Sequence, residues 1–145
     1  MPDRATTLEF KVVGLPIAQP RHRAACRNGF PSLYLPSKHA IHAYKQSIGE
    51  AASVAQEDKA TIEGCVKLDV IFVFKAPKKS QIKNWRCAKP DIDNLLKAVL
   101  DGLTDAGIWC DDAQVVQIHA GKVYGVEPST QVRIEPIEFA IPESW

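Results

Sequence analysis

Residues 89–103 read KPDIDNLLKAVLDGL, and the reading of this stretch as a helix organises everything around it. Ile92, Leu95, Leu96, Val99, Leu100 and Leu103 fall at i, i+3, i+4, i+7, i+8 and i+11, the apolar stripe of an amphipathic helix. With Pro90 before it favouring an extended approach, Asp91 takes the N-cap, Asp93 the first turn, and Gly107 the natural stop. Asp93, Lys97 and Asp101 form a polar i, i+4, i+8 stripe beside the leucines. Each of these is ordinary helix chemistry, worth about 0.3–1 kcal/mol apiece. What asks for more is a second acidic pair, Asp111 and Asp112, just beyond the helix at the entrance to a strand, where it can swing back near the helix start.

Upstream, Lys75, Lys78, Lys79, Lys83, Arg86 and Lys89 share a segment without an acidic residue, a basic loop in which Trp85 stands either as a platform for an unpaired base or as an anchor packing the loop. Before it, CVKLDVIFVF puts Val66, Leu68, Val70, Phe72 and Phe74 on one face and Ile71 and Val73 on the other, which predicts a strand near the middle of a sheet, covered on both sides. Ile41, Tyr44, Ile48, Ala51, Ala52 and Ala55 recur at helical spacing and predict a helix over 38–56 with Ser37 as N-cap. A first basic loop, with Arg21, His22, Arg23 and Arg27 and a hairpin signal at Asn28-Gly29, precedes it, and LEFKVVG alternates as a half-buried strand.

Downstream, AQVVQIHAGKVYG and TQVRIEPIEF read as two strands joined through GVEPST, the second an edge because of Pro136. The order strand, helix, strand, helix, strand, strand predicts an α/β (mixed α+β) fold: one small domain over residues 1–145, a mixed sheet of about four strands and two main helices.

A chain of 145 residues, 46% hydrophobic, is long enough for one real core. A formal net charge of +1 means that a polyanionic partner is met by local clusters rather than by overall basicity. No apolar run reaches membrane-spanning length and MPDRATTLEF lacks a signal-peptide layout, which predicts a cytoplasmic protein without a membrane partner. Cys26, Cys65, Cys87 and Cys110 are scattered without a C-x-x-C, so reduced thiols are expected. His39 and His42, at i and i+3, have no third ligand nearby and read as surface or half-buried histidines, and Trp109 reads as core.

Carboxylates that repel one another are tolerated when a hard cation lies between them, and Mg²⁺ takes oxygen ligands from a few carboxylates while keeping waters for substrate. Flanking basic loops point to a phosphate polyanion, so the constellation describes metal-assisted phosphodiester cleavage with Lys97 neutralising developing charge. An EF-hand is excluded by Leu95 and Leu96 at the fifth and sixth positions counted from Asp91. Aspartyl-phosphate hydrolases and nucleotide-sugar transferases usually place D-x-D after a hydrophobic strand, whereas RCAKP precedes it here.

At residues 91–122, DIDNLLKAVLDGLTDAGIWCDDAQVVQIHAGK, the sequence resembles the RusA family of Holliday junction resolvases, endonucleases common in prophages. QPRHRAACRNGFPSLYLPSKHAIHAYKQSI is similar, more loosely, to the amino-terminal half of many members, although RCAKP is less arginine-rich than in some. The resemblance implies a homodimeric Mg²⁺-dependent enzyme, with Mn²⁺ as the alternative ion, that cuts four-way DNA junctions by paired nicks. It implies a metal site of Asp91, Asp93 and Asp112, an essential Lys97, and Lys122 as a phosphate contact, with Asp111 a neighbour of undecided role. Arg21, Arg23, Arg27, Lys78, Lys79, Lys83, Arg86 and Lys89 are the nucleic-acid-binding residues this reading expects. Two other readings stand beside it: a non-catalytic branched-DNA binder, against which the full carboxylate set argues, and a metal-dependent nucleotide phosphohydrolase, for which two basic loops carry too much charge.

Overall fold

The computed structural model describes residues 7–20, 23–27, 30–34, 39–138, 140–141 and 143–145. Strands β1 (Leu8–Val13), β4 (Val66–Lys75), β5 (Val115–Gly125) and β6 (Ser129–Pro136) form one sheet in the order β1-β6-β4-β5. β6 is antiparallel to both β1 and β4, while β4 and β5 run parallel, as a pair joined by a helical crossover must. That crossover is α2 (Ile92–Asp105), and α1 (Ala40–Gln56) precedes β4. β2 (Arg23–Arg27) and β3 (Phe30–Tyr34) make a separate hairpin that pairs Arg27 with Phe30, the hairpin expected at Asn28-Gly29. The mixed α+β domain of four strands and two helices is the one the alternations predict.

The core lies between one face of the sheet and the two helices. Leu8, Leu68, Val70, Phe72, Val132 and Ile134 meet Ile41 and Ile48 of α1 and Leu95, Val99 and Leu103 of α2. The register explains why: Leu8, Leu68 and Ile134 stand in one row across β1, β4 and β6, so a period of two puts their alternate neighbours on this same face. The helices cross at small residues. A Cβ on Gly102 would come within 2.9 Å of the Lys45 carbonyl oxygen, and one on Gly49 within 3.1 Å of Ala106 Cβ. Trp109 is buried as expected, its Nε1–H donating to Thr104 Oγ1 at 2.8 Å.

Three expectations need correction. β6 lies inside the sheet, between β1 and β4; Pro136 is tolerated because it is the terminal residue of the strand. β4 is central but not covered on both sides: Val73 is buried, whereas Ile71 is 38% exposed on a face that carries the charged row Glu9, Arg133, Asp69, His119. In that row Arg133 Nε lies 3.5 Å from Glu9 Oε1 and His119 Nδ1 3.4 Å from Asp69 Oδ1. The helix expected over 38–56 begins at Ala40, and its N-cap is His39, whose Nδ1 accepts the Ile41 N–H at 3.0 Å. Ser37 lies outside the described residues. Among the described residues no helix is long and apolar enough to cross a membrane, and Cys65, Cys87 and Cys110 are free thiols.

Candidate active site

Helix α2 presents its acidic stripe away from the core. Asp91 is the N-cap by backbone conformation, φ −71° and ψ 141°, yet its carboxylate makes no capping hydrogen bond. It faces Lys89 instead, with Nζ 3.6 Å from Oδ1. Asp93 is exposed in the first turn and its Oδ1 accepts the Asn94 N–H at 2.9 Å, satisfying one of the helix's orphan donors. One turn on, Lys97 Nζ lies 3.9 Å from Asp101 Oδ1, and Lys45 of α1 reaches Asp101 Oδ2 at 3.2 Å. Asp101 thus ties α1 to α2 while leaving the Lys97 ammonium largely in solvent. The residue was visible in the i, i+8 spacing, but Lys45 was not, because nothing in its own helix marks it as a partner of α2.

Beyond α2, the two aspartates of the DD pair divide their labour. Asp111 caps a single turn of 3-10 helix over Asp112–Gln114, its Oδ1 accepting the Ala113 N–H at 2.9 Å. Gln114 completes that turn: its Oε1 accepts the Cys110 and Asp111 N–H groups and its Nε2 donates to the Ile62 and Gly64 carbonyls. The Ala113 amide, and a hydrogen bond with Asp112, hold the Asp111 carboxyl below its ordinary pKa. Asp112 is pushed the other way, first by its hydrogen bond with Asp111, then by desolvation and by the charges of Asp111 and Asp101, with Lys97 opposing. Lys97 and Asp101 are joined as an ion pair, Asp91 and Asp93 stand at the N-cap and first turn of α2, and Asp112 opens a 3-10 turn that packs against the same helix.

Among the described residues no group of three His, Cys, Asp or Glu side chains is gathered closely enough to hold a metal ion. The chemistry of the donors does suit one: they are carboxylates without histidine or thiolate, a set that favours hard divalent cations. His39 is committed to its capping bond.

The basic segment before α2 is held rather than loose. Arg86 stacks over the Phe74 ring at 4.3 Å and the Tyr124 ring at 5.4 Å, and both Nε and Nη2 donate to the Lys89 carbonyl, Nε at 3.0 Å. Lys122 Nζ donates to the carbonyls of Ala88 at 2.7 Å and Pro90 at 2.8 Å. Two of the three ammonium donors of Lys122 are thereby spent on the chain leading into Asp91. Lys78, Lys79 and Lys83 are exposed. The first basic loop begins against the same helix, the Gln19 N–H donating to the Asn94 carbonyl at 2.9 Å; Arg23 and Arg27 are the end residues of β2, and Arg21 lies outside the described residues.

A family model described as endodeoxyribonuclease RusA matches residues 14–135, from the end of β1 nearly to the end of β6. The chain belongs to the RusA family. A RusA-family match of this extent takes in both basic segments, α2 and the DD turn together. The chain is similar to the YqaN protein of Bacillus subtilis (strain 168), 33% identical over 141 residues, which cover 90% of this chain and 96% of that one. It is 58% identical over 94 residues, 61% of this chain and 76% of the relative, to the crossover junction endodeoxyribonuclease RusA of Escherichia coli (strain K12). A crossover junction endodeoxyribonuclease of Lactococcus phage r1t is 31% identical over 72 residues, covering 50% of this chain and 55% of the phage protein.

Proposed function

We propose that this RusA-family chain is a structure-specific endodeoxyribonuclease that resolves four-way DNA junctions in the cytoplasm, acting as a homodimer. The observation that carries the reading is an aspartate at the head of α2 whose carboxylate is not spent on the cap it occupies, on the same helix as Asp93 in the first turn and the largely exposed Lys97. Asp91, Asp93 and Asp112 are the residues that would hold Mg²⁺ or Mn²⁺. When bound, such an ion supplies Lewis-acid polarisation of the phosphodiester. Lys97, exposed and only loosely paired with Asp101, offers positive charge where the pentavalent phosphorane gains negative charge. Lys78, Lys79 and Lys83 hold the DNA backbone, Lys122 and Arg86 fix the chain that carries Asp91, and Lys89 offsets the Asp91 charge until phosphate arrives.

The test is to incubate the protein with a synthetic four-way junction and with a matched linear duplex, each in Mg²⁺ and in chelator. Paired nicks in the junction alone, lost in chelator, are expected. Asp93→Asn should abolish nicking while leaving junction binding intact or slightly tighter, since a carboxylate that repels phosphate is gone; wild-type cutting by this variant would reduce Asp93 to a helix-start residue. Tight junction binding without cutting by the wild type would favour the non-catalytic binder, and hydrolysis of free nucleotides with no junction activity the phosphohydrolase.

A further inference from the structure

Trp85 is a large aromatic side chain, set in a segment bonded to the sheet, that the core does not use and the site does not explain. Trp109 is 1% exposed, whereas Trp85 is 74% exposed, and it stands in the segment with six cations and no acid between Lys75 and Lys89. An indole that anchored this loop would be buried against the domain. Here only its edge is seated: Cζ3 lies over Gly121, where a Cβ would come within 3.0 Å of it and within 3.5 Å of Ile71 Cδ1. The rest of the ring projects beside the uncovered face of the sheet.

The backbone that presents Trp85 is firmly held. The Lys83 N–H donates to the Tyr124 carbonyl, the Tyr124 N–H to the Asn84 carbonyl and the Arg86 N–H to the Lys122 carbonyl, each at 2.9 Å, so that residues 83–86 extend the sheet beside β5 with Trp85 opposite Val123. Lys83 takes a positive φ of 74°, a conformation unfavourable for a non-glycine residue that persists only where the surroundings impose it. A rigidly displayed indole among exposed Lys78, Lys79 and Lys83 has the two components of a single-strand binding surface, cations for the backbone and a flat π face for a base. Asp91 lies six positions on from Trp85, at most about 22 Å of chain, or about six base steps along one strand.

We propose that Trp85 is a base-stacking residue that receives a nucleobase unpaired at the branch point of DNA. The inference rests on the junction reading above and assigns to it the element that tells branched DNA from a duplex. A fully paired helix offers no free base face, so the stack forms only where pairing is broken.

The experiment measures binding, with divalent cation chelated so that nothing is cut, to three DNAs: a four-way junction carrying 2-aminopurine at the branch point, a linear duplex and a single-stranded oligonucleotide. Trp85→Ala should weaken junction and single-strand binding about tenfold, within the range lost with one base–aromatic stack, and leave duplex binding unchanged. The 2-aminopurine signal that changes on binding wild type should not change with Trp85→Ala, and Trp85→Phe and Trp85→Tyr should restore much of both, with unaltered thermal unfolding showing that the fold is intact. Equal binding of wild type and Trp85→Ala to the junction and to the single strand overturns the inference. Wild type that binds junction no better than duplex, while its single-strand binding still depends on Trp85, instead overturns the junction reading and leaves the stacking role standing.

Discussion

At the level of single residues, Tyr44 shows how much one hydroxyl can fix. Its hydrogen bond to Thr130 joins α1 to β6 out of reach of water, and burial pushes its pKa up to about 12 from an ordinary 10.0. The unfolded chain therefore loses this proton first as pH rises, so the contribution is fully present below pH 10 and is lost between pH 10 and about 12, on the order of 2 kcal/mol in all. Tyr44→Phe should lack this share of the alkaline loss and, with the Thr130 hydroxyl left buried and unpaired, should be about 1–3 kcal/mol less stable at neutral pH, as urea unfolding at pH 7 and pH 11 will read. Lys122 is the second case. The sequence marked it only as a cation after DDAQVV; its bonds to the Ala88 and Pro90 carbonyls make it a brace for the segment entering Asp91. Lys122→Met should free that segment, raising amide exchange at Cys87 and Ala88 and slowing cleavage at saturating DNA about ten- to a hundredfold, with a much smaller change in affinity. A loss confined to affinity would return Lys122 to simple phosphate contact. The aspartates were legible because acidic spacing on a helix is local information. The anchoring of the turn that carries Asp112 was not, because it is made by the Gln114 bonds to the carbonyls of Ile62 and Gly64, residues far away in sequence.

Between elements, the crossing of α1 and α2 depends on having almost nothing at Gly49 and Gly102. Gly102→Ala must push its methyl toward a backbone carbonyl already 2.9 Å away, so despite the better helix propensity of alanine it should destabilise the fold by about 1–3 kcal/mol. Chemical denaturation will show this, and the shift between helices should also part Lys45 from Asp101. Under the proposed function, the loop that carries Lys78, Lys79 and Lys83 would meet DNA at the same scale. Neutralising all three should weaken junction binding and flatten its dependence on salt, because fewer counterions are released, with little change in rate at saturation. An unchanged salt slope would move the DNA contact elsewhere. Periodicity identified each main strand and helix here, since alternation and the 3.6-residue repeat are read from neighbours. It misplaced β6 and overstated the cover on β4 because neighbouring strands are chosen by the whole sheet. Proline marks a strand end as readily as a sheet edge, and Ile71 alternates like a core residue while standing in a polar row.

For the molecule as a whole, the proposed function gives one chain bearing one acidic helix a single cut, and a four-way junction is resolved only when two strands of like polarity are cut symmetrically. Two copies about a twofold axis match that requirement. Sedimentation at micromolar concentration should give a dimer, and mixing wild type with Asp93→Asn should accumulate singly nicked cruciform plasmid; a monomer on the junction, with linear product arising only after release and rebinding, would sink the paired mechanism and spare the metal site. The sheet order carries a consequence for how such a molecule comes into being. β6, which follows β1, β4 and β5 along the chain, is the one that sits between β1 and β4, so Leu8 and Leu68 share the partner Ile134 and have no row to stand in before it emerges. Synthesis from the ribosome thus delivers β1, both helices and β4 as a chain whose apolar faces lack their common floor, and the loop-closure cost between β1 and β6 is met only when β6 emerges. A nascent chain stopped at Pro128 leaves β1 and β4 with open edges and should aggregate. The acidic helix gains its support, and with it any power to cut the DNA of the cell that makes it, only once β6 has taken its place between β1 and β4.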